Sequence, residues 1–214
     1  TSVKTGSGRD SNPEVTSLTY DSRQAEPGSL FLAVQGRVSD GHLYIDQAME
    51  KGAIAVASER EPPPRFEGVW VRVQAIRPAM ALLANEFYGN PSGQLDLIGI
   101  TGTNGKTTTA FLAHSVLEHS APALLMGTVK TVMAGRETES RHTTPEAVDI
   151  QKTLAEAIEC GCRQGVLEVS SHALALYRVY GCRFPVAVFT NLTQDHLDFH
   201  ETVAEYFQAK SRLF

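Results

Sequence analysis

Residues 99–109, Gly-Ile-Thr-Gly-Thr-Asn-Gly-Lys-Thr-Thr-Thr, join an apolar strand to a helix through a glycine-rich turn ending in Lys-Thr. A strand that feeds a helix this directly predicts an α/β unit, and the composition of the turn predicts phosphate chemistry. Glycine lets backbone N–H groups crowd around phosphate oxygens without a Cβ in the way, and the helix opens with its positive dipole end facing the anion. Lys106 is then set to reach β- and γ-phosphates, and the Thr107 hydroxyl to ligate Mg²⁺. The full pattern G-x-x-x-x-G-K-[ST] asks for glycine where Ile100 stands, so the shorter form Gly102-x-x-Gly105-Lys106-Thr107 carries the signal. A plain glycine-rich turn is the alternative, and the strand before and helix after favour the phosphate loop.

The flanking sequence predicts more of the same architecture. Segments 95–100, 123–126, 165–169 and 186–192 are nearly continuous apolar runs with helical patterns between them. Strands buried on both faces and alternating with helices make a mostly parallel, doubly wound sheet, whose ligands gather at the strands' carboxyl ends. Upstream, shorter β-type segments at 30–34, 53–57 and 69–73 form a small α/β unit. A helix is expected at 42–51, with Leu43, Ile45, Ala48 and Met49 on one face, and another at 78–88, with Met80, Leu83, Ala84 and Phe87 inward. The breaker-dense stretch 89–93 marks the boundary: residues 1–13 are a flexible polar leader, 14–92 the first domain and 93–214 the second.

A net charge of −5 without clustered Lys or Arg argues against a nucleic-acid surface. No apolar run is long enough to span a bilayer, there is no signal-like N-terminal segment, and the expected location is cytoplasmic. Cys160, Cys162 and Cys182 fit no disulfide framework and no common zinc spacing, so they are read as reduced thiols.

Three polar clusters follow the predicted strands. Thr143-Thr-Pro-Glu146 opens a helix with Thr144 as N-cap and Pro145 at the first position, and capping explains these residues as well as function does. Glu168-Val-Ser-Ser-His172 begins inside an apolar strand, where a carboxylate is costly unless a cation or a hydrogen-bond network receives it, and Mg²⁺ is the obvious recipient. Ser170, Ser171 and His172 could equally cap the next helix. Asn191-Leu-Thr-Gln-Asp-His-Leu-Asp198 packs Asp195, His196 and Asp198 into one turn, as a metal or nucleotide loop would. Lys210, on an amphipathic helix over 203–214 with Tyr206, Phe207 and Leu213 apolar, reads by default as a solvated lysine.

Taken together, Thr-Gly-Thr-Asn-Gly-Lys-Thr-Thr, Glu-Val-Ser-Ser-His-Ala-Leu, Phe-Thr-Asn-Leu-Thr-Gln-Asp-His-Leu-Asp and Ala-Lys-x-x-Leu-Phe closely resemble the Mur ligases of bacterial cell-wall synthesis. Asp21-Ser-Arg23, Leu30-Phe-Leu-Ala-Val34 and Asp40-Gly41 extend the resemblance to the first domain. It implies a UDP-substrate domain followed by a truncated P-loop ATPase domain, and an amide ligase of peptidoglycan precursor synthesis. In such a ligase ATP phosphorylates the terminal carboxylate of UDP-MurNAc-L-Ala-D-Glu, and the amine of a third amino acid displaces phosphate from the acyl phosphate.

The resemblance also implies roles residue by residue. Thr101, Gly102, Thr103, Asn104, Gly105, Lys106 and Thr107 match ATP contacts. Thr107, Glu168 and His196 match ligands of two Mg²⁺ ions. Lys210 matches a lysine carbamylated by CO₂ (N6-carboxylysine), and Lys106, His196 and Lys210 match the catalytic set. Ser22, Arg37, Val38 and Ser39 match uridine-nucleotide contacts, and Thr143, Thr144, Ser170 and Arg178 muramoyl-peptide contacts. Arg37-Val38 and Leu176 depart from the residues expected of the best-known members, which bears on substrate detail and not on the reaction class. Mur ligases continue past the lysine matched by Lys210, so the resemblance further implies a fragment, inactive alone and apt to self-associate through an incomplete sheet, of a protein monomeric at full length. A folylpolyglutamate synthetase-like ligase and a non-catalytic nucleotide-binding remnant are the alternatives.

Overall fold

The computed structural model describes residues 2–5, 13–36, 39–140 and 142–214. The chain divides into two compact units, Thr1–Met80 and Ala81–Phe214. Among the described residues no helix is long and apolar enough to cross a membrane.

The first unit is built on a five-stranded sheet of β1 (Ser2–Thr5), β2 (Ser17–Thr19), β3 (Ser29–Leu32), β4 (Ala55–Ser58) and β5 (Val69–Arg72), in the order β1-β5-β4-β3-β2. Strands β2 to β5 are parallel, and β1 pairs antiparallel along β5. Strand β1 lies inside the segment that composition assigned to a flexible leader. Adding an edge strand takes only main-chain hydrogen bonds, so a polar stretch with little to bury can still pair. Phe31, Ala33, Val56 and Trp70 form the core with Ile45 and Ala48 of helix α1 (Ile45–Glu50). Leu43, expected on the same buried face, is 77% exposed. Residues Gly41–Tyr44 form a 3₁₀ turn, whose tighter winding rotates Leu43 out of phase with the α-helix that follows. Helix α2 (Ile76–Phe87) buries Met80 and Ala84 as expected, but Phe87 is partly exposed and packs edge-on against Tyr88.

The second unit carries a six-stranded sheet of β6 (Asp96–Thr101), β7 (Ala123–Met126), β8 (Lys130–Met133), β9 (Arg136–Glu139), β10 (Gln164–Glu168) and β11 (Val186–Phe189), in the order β11-β6-β10-β7-β8-β9. The four apolar strands β11, β6, β10 and β7 are parallel, as their composition requires. Their side chains alternate between two cores. Leu97, Leu124, Met126 and Leu167 face Ile150 and Leu154 of helix α4 (Ala147–Glu159), while Ile98, Leu125 and Val166 face Ala110 and Phe111 of helix α3 (Lys106–Ser120). The antiparallel pair β8–β9 extends the sheet beyond the strands that the apolar runs predict. Its turn, Ala134-Gly135, has both residues at positive φ, 46° and 77°, the pattern of a two-residue hairpin turn. Three short helices complete the unit: α5 (Ser171–Ala175), α6 (Leu197–His200) and α7 (Val203–Ser211). Cys160, Cys162 and Cys182 are unpaired.

Candidate functional site

Register creates the site. Glu168, the last residue of β10, pairs with Ile100 of β6, so the carboxylate stands beside the loop that leaves β6 at Thr101. The loop runs through Gly102, at φ +143°, and Gly105, at φ +84°, into α3, whose first residue is Lys106. A Cβ on Gly102 would lie 2.0 Å from the Thr190 hydroxyl oxygen, so no other residue fits there without displacing its neighbour.

The segment after β11 braces the loop. Thr103 N–H donates to the Asn191 carbonyl (2.9 Å) and Asn104 N–H to Asn191 Oδ1 (3.0 Å). The Thr190 hydroxyl and Asn191 Nδ2 both donate to the Asn104 carbonyl. Thr103 Oγ1 donates to the Thr193 carbonyl and accepts from Thr193 N–H and the buried Tyr206 hydroxyl. Two loop amides are thus committed to Asn191, and the first-turn N–H groups of α3, which helix geometry leaves without intrahelical acceptors, remain to meet an anion.

Two lysines converge on one carbonyl. Lys106 Nζ donates to Gly102 O and Thr103 O, each at 2.9 Å, and Lys210 Nζ donates to Gly102 O at 2.7 Å. Lys210, read by default as solvated, is 1% exposed, with its ammonium 4.5 Å from the Tyr206 ring centroid. Burial and then the Lys106 charge pull its pKa down to about 8. Burial lowers that of Lys106 as well, against the opposing pull of Glu168 and Asp195. Of the apolar residues on α7, Tyr206 is buried and Phe207 is half exposed.

Glu168 is buried and held by three donors: the Thr107 hydroxyl (2.8 Å), the Thr128 N–H (2.9 Å) and the Thr128 hydroxyl (3.1 Å). A hydroxyl that gives its proton to a carboxylate keeps its lone pairs for a cation, and a carboxylate with about four acceptor positions keeps one beyond these three. The donor set is hard oxygen. Among the described residues no group of three or more His, Cys, Asp or Glu could hold a metal by itself. That suits Mg²⁺, which takes one or two protein ligands together with water and phosphate oxygens.

Thr103, Asn104, Lys106, Thr107, Thr128, Thr143, Ser170 and His196 line a cavity of about 270 Å³. His196 sits at φ +52° as the N-cap of α6, its N–H donating to Asp195 Oδ1, and its ring packs edge-on against His172 at 4.8 Å. Burial, followed by the neighbouring His196, lowers the pKa values of both His172 and His200. Thr144 does not cap a helix: α4 starts at Ala147 with Glu146 as N-cap. Its hydroxyl instead donates to the Glu168 carbonyl and accepts from Ser170 N–H, because the 143–146 loop lies against the end of β10. Arg178 binds the Thr144 carbonyl (2.9 Å) and pairs with Glu146 (2.7 Å). Ser170 caps α5 through Ala173 N–H.

In the first unit, Ser22 is buried and donates to Gln47 Oε1, and Ser39 donates to the Tyr44 hydroxyl. Arg37 and Val38 lie outside the described residues. Asp40 accepts from the ring and backbone N–H groups of His42 and from Arg60, and the other His42 ring nitrogen lies 2.8 Å from the Ser58 hydroxyl oxygen. Sequence reasoning missed Thr128, Thr190 and Asn191 as individual contributors. The Asp-His loop was visible, but not that the residues just before it brace the phosphate loop.

Comparison with known proteins adds an independent line. A model described as the Mur ligase middle domain matches residues 100–214, and one described as the Mur ligase family catalytic domain matches residues 14–88. The chain is 45% identical over 205 residues to a UDP-N-acetylmuramoyl-L-alanyl-D-glutamate–2,6-diaminopimelate ligase of Caldanaerobacter subterraneus subsp. tengcongensis, covering 95% of this chain and 42% of the relative. It is 48% identical over 202 residues to the enzyme of that name from Solibacter usitatus, covering 94% and 41%. The chain therefore spans about two fifths of the length of these relatives. A solved structure of a 2,6-diaminopimelate ligase of the same name superposes with TM-score 0.80 at 30% identity, over 93% of this chain and 40% of that one. The fold is also shared by a MurF ligase from Thermotoga maritima solved with ADP, with TM-score 0.63 at 21% identity over 94% and 43% of the two chains.

Proposed function

Because the chain belongs to the Mur ligase family, we propose that it serves an ATP-dependent amide ligase of peptidoglycan precursor synthesis, which adds the third amino acid to UDP-MurNAc-L-Ala-D-Glu through an acyl phosphate. The domains are residues 14–92 for the UDP-substrate and 93–214 for ATP, a division supported by the matched stretches 14–88 and 100–214. The incoming amine is an amino acid, and 2,6-diaminopimelate is the one named by the relatives.

The observation that carries this reading is the convergence of the Lys106 and Lys210 ammoniums on the Gly102 carbonyl, beside a hydroxyl–carboxylate pair of Thr107 and Glu168. Two cations sharing one neutral acceptor repel each other, and an arriving phosphate relieves that repulsion. Lys106 leaves its loop carbonyls to neutralise the transferring phosphoryl group, and the α3 N-terminus supports the same charge. Thr107 would hold one Mg²⁺, and Glu168 with His196 a second; the ions would screen the triphosphate so that the substrate carboxylate can approach. Lys210 is the site of a carbamate. Its lowered pKa leaves much of the amine neutral at mildly alkaline pH, the form that adds CO₂, and the product exchanges a buried cation for an anion. Thr143, Thr144, Ser170 and Arg178 contact the muramoyl-peptide, and Ser22, Arg37, Val38 and Ser39 the uridine nucleotide.

Isothermal titration calorimetry with UDP-MurNAc-L-Ala-D-Glu tests the reading. Micromolar binding is expected; preference for a folate, or no binding by folded protein, would reject it.

A further inference from the structure

The least expected polar contacts in the second unit come from Gly127-Thr128, the two residues after β7. Glu168 ends a neighbouring parallel strand, and this pair meets it from the side opposite the phosphate loop. Thr128 spends both its backbone N–H and its hydroxyl on the two oxygens of this one carboxylate, at 2.9 Å and 3.1 Å. The Thr128 hydroxyl oxygen also lies 3.1 Å from that of Thr143, and Thr128 lines the cavity alongside Thr107. Gly127 has a separate reason to be small: a Cβ there would lie 2.3 Å from Glu168 Oε1 and 3.2 Å from its carboxyl carbon. Its φ is outside the left-handed range, so the backbone admits alanine and only the carboxylate objects.

We infer that Gly127-Thr128 is a positioning element that aims Glu168 at a nucleotide-bound divalent cation, Gly127 by leaving room for the carboxylate and Thr128 by fixing its rotation with two donors. The inference rests on the proposed cation-binding role of Glu168. A buried carboxylate on a flexible side chain has several rotamers, and holding one of them with outer donors is what sets the affinity of a metal site; loss of such donors typically weakens binding by about 10- to 100-fold. Thr107 alone supplies a single bond to one oxygen, which leaves rotation about the carboxylate axis free. Thr128 supplies a bond to each oxygen and stops it.

The test is Mn²⁺ binding in the presence of ADP, followed by electron paramagnetic resonance on the full chain. Thr128→Val removes the hydroxyl and keeps the shape and the N–H, whereas Thr128→Ser keeps the hydroxyl. The expected outcome is a Mn²⁺ Kd raised about tenfold or more in Thr128→Val, which loses an outer donor, and in Gly127→Ala, whose methyl displaces the carboxylate. Thr128→Ser should stay within about threefold of wild type, and ADP affinity without metal should be unchanged, since only the carboxylate has been disturbed. Wild-type Mn²⁺ affinity in both Thr128→Val and Gly127→Ala, with Glu168→Gln weakened, overturns the inference and leaves the role of Glu168 standing. Equal loss in Thr128→Ser and Thr128→Val also overturns it, because the hydroxyl would not be the operative group. If Glu168→Gln binds Mn²⁺ as wild type does, the role of Glu168 falls and takes the inference with it. Gly127→Ala alters no hydrogen-bonding group, so it decides the matter even if Thr128→Val fails to fold.

Discussion

Replacing Gly102 by alanine attacks the phosphate loop at its tightest point, and two separate penalties add. At φ +143° an L-residue occupies a region that is essentially glycine's, at a cost of about 1–3 kcal/mol. The new Cβ also lies 2.0 Å from Thr190 Oγ1 and 3.1 Å from both the N and O of Asn191, and forcing a methyl into such a space costs about 1–3 kcal/mol more. The expected destabilisation is therefore about 2–6 kcal/mol, a large share of the roughly 5–15 kcal/mol that holds a domain together. Urea unfolding followed by far-UV circular dichroism measures it. The steric part is separable: Thr190→Ala removes the clashing oxygen and sacrifices the hydrogen bond to Asn104 O, worth about 1 kcal/mol. The double variant should then be less destabilised than the sum of the singles by about 1–2 kcal/mol, as expected for groups in contact. A Gly102→Ala protein within about 0.5 kcal/mol of wild type, or strict additivity in the cycle, would refute the reasoning.

Other perturbations give distinct signatures. The folded chain holds the Lys210 proton less tightly than the unfolded chain does, so stability should rise with pH from about 8 toward the ordinary lysine value of 10.5; Lys210→Met should flatten that rise in urea titrations, and parallel profiles for the two proteins would exclude it. For Asp40, burial pushes the carboxyl up, but the His42 and Arg60 hydrogen bonds outweigh it and hold the pKa at about 2. Its contribution is present above the unfolded value of 3.8 and lost as pH falls toward 2, so Asp40→Asn should remove the steepest part of acid unfolding in the first unit, read by Trp70 fluorescence; an unchanged acid midpoint would contradict this. Tyr206→Phe leaves Thr103 Oγ1 without one donor and should cost about 1 kcal/mol in the same urea assay, with faster amide exchange at Thr103 and Asn104; unaltered exchange would show that Tyr206 does not brace the loop.

The parallel core was legible because burial on both faces writes itself into composition: Leu124 and Leu125 are adjacent, face opposite cores, and are both fully buried. The phosphate loop was legible because its glycines and its Lys-Thr are local in sequence. Residues whose roles depend on distant partners were not. Nothing in the spacing of Thr128 says that its hydroxyl meets a carboxylate forty residues later, or that Asn191 occupies two amides of a loop some ninety residues earlier. The β8–β9 hairpin escaped notice because Ala134 takes a left-handed conformation that asparagine or glycine would have advertised. Leu43 and Phe87 were assigned inward by helical period alone, which cannot register a 3₁₀ turn or a ring that settles on its neighbour. Lys210 shows the opposite limit: amphipathic pattern placed it in water, while the structure buries it almost entirely.

The outermost ribbon of the second sheet is exposed along its whole length, and it carries Arg136, Glu137 and Glu139. A foreign chain seeking to zip onto that rim would have to strip water from these ionic groups before gaining a single main-chain bond. Growth of the β-ladder in that direction is thereby discouraged, and a sheet assembled mostly from sticky parallel strands finishes on this flank with a solvated hem.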